Sequence, residues 1–117
     1  MILVTGSAGF IGSNFTKYFL SQLDEEVLSY DKLTYSGNLA NLDELKNESL
    51  HSFLEGDISD SKKLQNILFD IKPRAIINFA AETHVDKSID YPEIFFQTNV
   101  MGTLSLLYSS LKYWEKL

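Results

Sequence analysis

The sequence has no cysteine among its 117 residues. Disulfides, thiolate nucleophiles and thiolate metal sites are therefore excluded, and the absence fits a cytoplasmic protein. Proline occurs only twice, and no proline-, glycine- or serine-rich tract marks a linker or a low-complexity segment. Basic residues are in the minority, 10 Lys and Arg against 16 Asp and Glu, for a net charge of −6. That balance argues against nucleic acid and against an anionic membrane as partners. It leaves room for a local anion site, because backbone N–H groups bind phosphate on an acidic protein as well as on a basic one. Long apolar runs are missing too. The longest candidate, "NVMGTLSLLYSSL", is broken by Gly102, Thr103, Ser105 and Ser109, so no bilayer span is expected. No basic stretch precedes the first apolar run, so no secretory signal is expected.

What is present is enough for one domain. Hydrophobic residues make up 44% and charged residues 22%, sufficient for a real core but too little chain for two ordinary domains. Short apolar, β-branched runs alternate with segments of helical spacing. "MILVT", "EVLSY", "LHSFLEG" and "RAIINFAA" read as strands. The last is almost wholly apolar and is expected in the middle of a sheet. The segment after the first strand repeats Ile11, Phe15, Phe19 and Leu23 at four-residue intervals, and "DSKKLQNILFDIK" carries Leu64, Ile67, Leu68 and Ile71 on one stripe. Asp60 or Ser61 caps the start of that helix and Pro73 marks its end. Leu39, Leu42 and Leu45 suggest a short helix after a turn-rich stretch. "ETHVDKSIDYPE" is a polar connection with room for a helical turn, and residues 94–117 read as one long helix. The β-α-β-α-β-α-β-α alternation predicts an α/β fold, a doubly wound parallel sheet with strand order 3-2-1-4 over residues 1–117.

The chemistry concentrates at the ends of these strands. Gly6, Gly9 and Gly12 sit three apart, directly after strand 1 and at the opening of a helix. Glycine permits a sharp turn and close backbone approach, and the helix start offers unpaired N–H groups to a pyrophosphate. The spacing is G-x-x-G-x-x-G rather than the usual G-x-G-x-x-G, so by itself it reads equally as a tight strand-to-helix turn. Asp31 ends strand 2, 19 residues beyond Gly12, where a carboxylate holds an adenosine ribose. That favours NAD over NADP, with Lys32 beside it leaving the preference open. Asp57 ends strand 3, either in the turn before the next helix or at the adenine edge of a cofactor. His51 opens a strand and reads as a surface residue. His84 and Asp86 follow strand 4, where they either order that loop or touch a substrate.

Longer words carry a resemblance. "VTGSAGFIGSNF" resembles the cofactor turn of the extended short-chain dehydrogenase/reductase family. "DKLTYSGNLANL", "GDI", "FAAETHVDKSI" and "TNVMGTLSLL" together resemble its dTDP-glucose 4,6-dehydratases, over essentially the whole chain. The resemblance implies a Rossmann-like NAD-binding domain. Phe10 and Ile11 would lie over the pyrophosphate through their backbone, and Asp31, Lys32, Leu33 and Thr34 would surround the ribose. Asp57 and Ile58 would contact adenine. Phe79, Ala80, Ala81, Glu82 and Thr83 would line the nicotinamide half with support from Thr98, and Thr83 would also touch the sugar nucleotide. Family members usually carry Ser at the position of Thr83 and Arg at that of Lys87. The hydroxyl and the charge survive, but forked hydrogen bonding is lost at Lys87. The family reaction uses NAD to oxidise the glucose C4 hydroxyl of dTDP-glucose, removes water across C5 and C6, and returns hydride to C6. A homodimer formed through the last helix is implied as well.

The reacting groups of that chemistry are not expected here. The family's Tyr-x-x-x-Lys lies on the helix after strand 5, whereas the spacing occurs in this chain at Tyr108 and Lys112, on the helix after strand 4. Spacing of four puts both on one helical face, but in the wrong helix. The expectation is therefore an N-terminal portion that stops after the fourth βα unit, with no catalytic residue and no metal ligand. Such a chain would be inactive, with strand 4 as an open sheet edge that favours self-association. The competing expectations are another NAD-dependent sugar-nucleotide epimerase or reductase, and a short non-catalytic NAD-binding protein.

Overall fold

The innermost strand, β1 (Ile2–Thr5), is buried at all four positions, because it has a parallel neighbour on each side. The computed structural model describes residues 1–33, 38–43, 45–83 and 85–117, with the side chains of 85 and 86 excepted. Within these residues β2 (Val27–Asp31), β3 (His51–Glu55) and β4 (Ala75–Asn78) complete a four-stranded parallel sheet in the order β3-β2-β1-β4. This is a Rossmann-like arrangement, as the β-α alternation predicts. The register pairs Ile2 with Val27 and with Ala75, and Val27 with His51.

The chain divides into two compact units, Met1–Gly56 with Pro73–Ala80, and Asp57–Lys72 with Ala81–Leu117. The first holds the sheet and α1 (Phe10–Gln22). Ile2, Val4 and Val27 on one sheet face pack with Phe19 and Leu20 of α1, and Phe15, Phe79, Ala75 and Ile77 close around them. The Phe15 ring stands 5.3 Å from that of Phe79 and 5.9 Å from that of Phe19. The buried face of α1 thus runs through Gly12, Ser13, Thr16, Phe19 and Leu20, while Ile11 and Leu23 of the expected stripe are exposed. The small residues Gly12 and Thr16 let the helix approach its own strand, and the apolar face rotates to suit. Outside this cluster, Arg74 forms a two-pronged ion pair with Glu25 at 2.7 Å on each arm, which holds the Glu25 carboxyl down at about 2.

Three sequence expectations need correction in this unit. β4 ends at Asn78 rather than at Ala81 and, as the expected 3-2-1-4 order requires and its apolar run does not suggest, is an edge of the described sheet, with Ala75, Ile76 and Ile77 only half-buried. Its apolar content reflects the faces it covers, not a central position. The helix expected around Leu39–Leu45 is a single 3₁₀ turn, Leu39–Leu42, and Leu45 beyond it packs on the core. His51 is not a surface residue. It is half-buried with its Nε2 2.7 Å from the fully buried Ser29 Oγ. Burial pushes its pKa down, with Glu48 of the turn before β3 opposing.

The second unit is helical. α2 (Ser61–Ile71) buries Leu64, Ile67 and Leu68, and Asp60 caps it by accepting from the Lys63 N–H at 3.2 Å. Lys72 closes it in the left-handed conformation, and Pro73 follows. α3 (Val85–Asp90) and α4 (Pro92–Phe96) precede α5 (Thr103–Glu115). The long helix expected from residue 94 is interrupted by a π turn over Gln97–Gly102. α5 packs on α2 through Leu106, Ser109 and Tyr113, with the Tyr113 ring edge-on to Phe69 at 5.9 Å. A Cβ at Gly102 in the π turn would stand 2.8 Å from Ile58 Cγ1, so the buried Ile58 side chain would have to shift to admit it.

Candidate functional site

The glycine turn begins where β1 runs out of partners. Gly6 adopts φ +67, a left-handed conformation that costs other residues about 1–2 kcal/mol. A Cβ on it would also run into the backbone of Phe79 and Ala80, 2.6 Å from the Phe79 oxygen. Gly12 is held for a similar reason, since its Cβ would collide with Gly6 and reach 2.9 Å from Ser7 Cα. Gly9 is different. It is the N-cap of α1 with φ −76 and ψ 175, a conformation open to any residue, and no side chain caps the helix. Two of the three glycines are thus demanded by close backbone packing, Gly6 against Phe79 and Ala80 and Gly12 within the turn.

The first-turn N–H groups of α1 have no intrahelical acceptor by geometry. Those of Phe10, Ile11 and Gly12 find no other partner among the described residues, and the first bond of the helix runs from the Ser13 N–H to the Gly9 oxygen at 2.9 Å. Phe10 at the start of the helix is 81% exposed, while Gly12 is buried. An aligned helix of 13 residues adds its partial positive charge at this end. The result is a helix start whose N–H groups and dipole would favour an anion, without an acidic or basic side chain in its first turn.

Asp31 ends β2 beside this turn and is buried. Its Oδ2 accepts the Ala8 N–H at 2.9 Å and its Oδ1 the Leu33 N–H at 2.7 Å. A carboxylate has about four lone-pair sites, so two remain for further donors. Leu33 is held at φ 59 by the same short turn. Lys32 is exposed, and Thr34 lies outside the described residues. Phe79 and Ala80 stand against Gly6, completing the part of the expected set that this unit brings together. The Asn78 carboxamide oxygen between them accepts from the Thr5 hydroxyl and from the Ala80 N–H.

In the second unit Asp57 organises the turn into α2, its Oδ1 accepting from the N–H and Oγ of Ser59 at 2.9 and 2.8 Å. Ile58 is buried against Gly102. The side chain of Asn99, in the π turn, pairs with both main-chain groups of Glu82, accepting its N–H at 2.8 Å and donating to its oxygen at 3.0 Å. The Glu82 side chain is only 5% exposed, and its Oε2 has no partner among the described residues. Thr98 is buried in the same π turn, while Ala81 and Thr83 are exposed. A π turn lets neighbouring side chains leave the regular helical ladder, and such turns gather at functional positions. His84 lies outside the described residues, as do the side chains of Val85 and Asp86.

Sequence reading missed the asparagines. The Asn38 N–H and the Asn41 side chain bond the Ala8 oxygen inside the glycine turn, and the Asn99 side chain bonds the main chain of Glu82, a residue of the expected site. The one visible signal for Asn38 and Asn41 is an Asn-rich word after strand 2, "SGNLANL". Among the described residues no group of His, Asp and Glu is placed to hold a metal ion, and no helix is long and apolar enough to cross a membrane.

The sequence profile of a family described as GDP-mannose 4,6 dehydratase matches residues 3–116. A dTDP-glucose 4,6-dehydratase of Escherichia coli is 46% identical over 113 residues, covering 97% of this chain and 31% of its own length. One from Xanthomonas campestris is 48% identical over 115 residues, covering 98% and 32%. The crystal structure of DesIV, a dTDP-glucose 4,6-dehydratase from Streptomyces venezuelae with NAD bound, superposes with a TM-score of 0.89 at 42% identity, over 96% of this chain and 36% of that one. The chain therefore spans about a third of the length of the relatives it matches.

Proposed function

This chain belongs to the family described as GDP-mannose 4,6 dehydratase, and on that premise we propose that it holds NAD for a dTDP-glucose 4,6-dehydratase, which converts dTDP-glucose to dTDP-4-keto-6-deoxyglucose. One observation carries the reading. The buried carboxylate of Asp31 is tied to the glycine turn through the Ala8 N–H and keeps lone pairs for two more donors. A ribose 2′,3′-diol supplies two donors, while a 2′-phosphate would meet like charge. The group therefore fits the residues present, and NAD is favoured over NADP.

The unpartnered N–H groups of Phe10, Ile11 and Gly12 would hold the pyrophosphate, with Gly6 and Gly9 shaping the turn. Asp31, Lys32, Leu33 and Thr34 would surround the ribose, and Asp57 and Ile58 would contact adenine. Phe79, Ala80, Ala81, Glu82, Thr83 and Thr98 are assigned to the nicotinamide half, and Thr83 also to the sugar nucleotide. NAD, when bound, supplies hydride acceptance and return. The chain's own residues bind and orient it.

Turnover is not assigned to this chain. Its Tyr108-x-x-x-Lys112 pair is turned onto itself, the Lys112 ammonium lying over the Tyr108 ring at 4.9 Å, and Tyr108 is 53% exposed. The exposed apolar residues Phe96, Val100, Leu104, Leu107 and Leu111 support association of two copies through the last helix. The absence of cysteine supports a cytoplasmic setting. Calorimetric titration of the chain with NAD and with NADP tests the reading. Binding of NAD with weaker or no binding of NADP is expected, and no heat with either would overturn it.

A further inference from the structure

We infer that Asn41 is a positioning residue for the pyrophosphate-binding turn, acting through Ala8. The inference rests on the NAD reading above but adds a residue that reading does not contain. Ala8 is fully buried at the centre of the glycine turn, and both of its main-chain polar groups are held. Its N–H donates to Asp31 at 2.9 Å, while its oxygen accepts from the Asn41 Nδ2 at 2.8 Å and from the Asn38 N–H at 3.0 Å. The Gly9 N–H, on the same peptide as that oxygen, donates to Gly6 at 3.2 Å.

Both peptide planes flanking the Ala8 Cα are thus pinned, and so are its φ and ψ. The donors come from the 3₁₀ turn at 38–42, which braces itself: the Asn38 side chain accepts from the Ala40 N–H at 3.0 Å, and the Asn41 N–H donates to the Asn38 oxygen at 2.9 Å. Asn41 is the side chain that reaches across from it. The direction of the Phe10 and Ile11 N–H groups follows from the planes before them. A turn fixed before the ligand arrives pays less ordering entropy on binding. The clamp also takes the Ala8 N–H out of the set of phosphate donors, leaving the task to the first turn of α1.

Adenosine and ADP separate positioning from general stability, because both need the ribose site and only ADP needs the turn. Asn41→Ala, and Asn41→Asp, which keeps the size and loses the donor, are each expected to weaken NAD and ADP binding roughly three- to tenfold, the weight of one hydrogen bond. Adenosine affinity by NMR titration should be unchanged. Amide exchange in the ligand-free chain should quicken at Ala8 and Gly9 and stay as it was in β2 and β3. Unchanged exchange at Ala8 and Gly9 overturns the inference, and so does faster exchange with full ADP affinity, or an equal loss for adenosine. Absence of NAD binding by the unaltered chain would instead overturn the functional reading, and the exchange comparison still decides whether Asn41 pins the turn.

Discussion

Replacing Gly6 by alanine should cost this protein much of its stability, and the structure says why in two separable parts. The residue sits at φ +67, which costs a residue with a Cβ about 1–2 kcal/mol. The new methyl would also press into the Phe79–Ala80 backbone, 2.6 Å from the Phe79 oxygen, and relieving such a clash by moving a strand costs about 1–3 kcal/mol. Backbone cannot rotate away as a side-chain tip does, and the strand to be moved is bonded to β1 through the Phe79 N–H and Thr5 oxygen at 2.9 Å. Together the two parts come to roughly 2–5 kcal/mol, set against a total of about 5–15 for an ordinary domain. At about 4 °C per kcal/mol the melting temperature should fall by roughly 8–20 °C. Circular dichroism melts and urea titrations of Gly6→Ala read this directly. Gly6→Asn divides the parts, since asparagine tolerates the left-handed region and keeps the clash. A Gly6→Ala chain melting within about 2 °C of the parent would refute the reasoning.

Three further outcomes are expected. Because burial lowers the His51 pKa, the folded state resists its protonation. Stability from this group is complete above the unfolded value of 6.5 and is lost as pH falls through the lower folded one. Urea midpoints measured from pH 8 to pH 5 should therefore drop less in His51→Gln than in the parent, and equal slopes would count against it. Asp60→Ala removes the acceptor for the Lys63 N–H and should cost about 1 kcal/mol by urea unfolding. Asn99→Ala strips both partners from the main chain of Glu82 and should cost about 1–3 kcal/mol, with faster amide exchange at Glu82. Exchange unchanged at that residue would mean the pairing does not hold the loop.

The legible parts of the fold were those that a repeating pattern encodes. Alternating strands and helices, the stripe of Leu64, Ile67 and Leu68, and the strand order all follow from periodicity and from the handedness of crossovers. Gly6 and Asp31 were legible because their offsets are fixed by the geometry of a strand-to-helix turn. What was not legible depends on partners distant in the chain. His51 meets Ser29 only once β2 and β3 are in register. Asn41 finds Ala8 33 residues away, and a side-chain bond to main chain leaves no period to detect. The π turn escaped for another reason, since a spacing of about four residues reads as helical whether or not one residue is extra.

A π turn closes i→i+5 bonds and so holds one residue more than the helical turn it replaces. Gln97–Gly102 is such a wide turn between α4 and α5. Deleting one residue within it would restore an ordinary helix and swing everything downstream about 100° around the axis. Leu106, Ser109 and Tyr113 would then face away from α2, and the exposed residues beside them would turn inward. A point deletion here would therefore act as a change of which side of α5 is inside, with all of its later side chains moving as one.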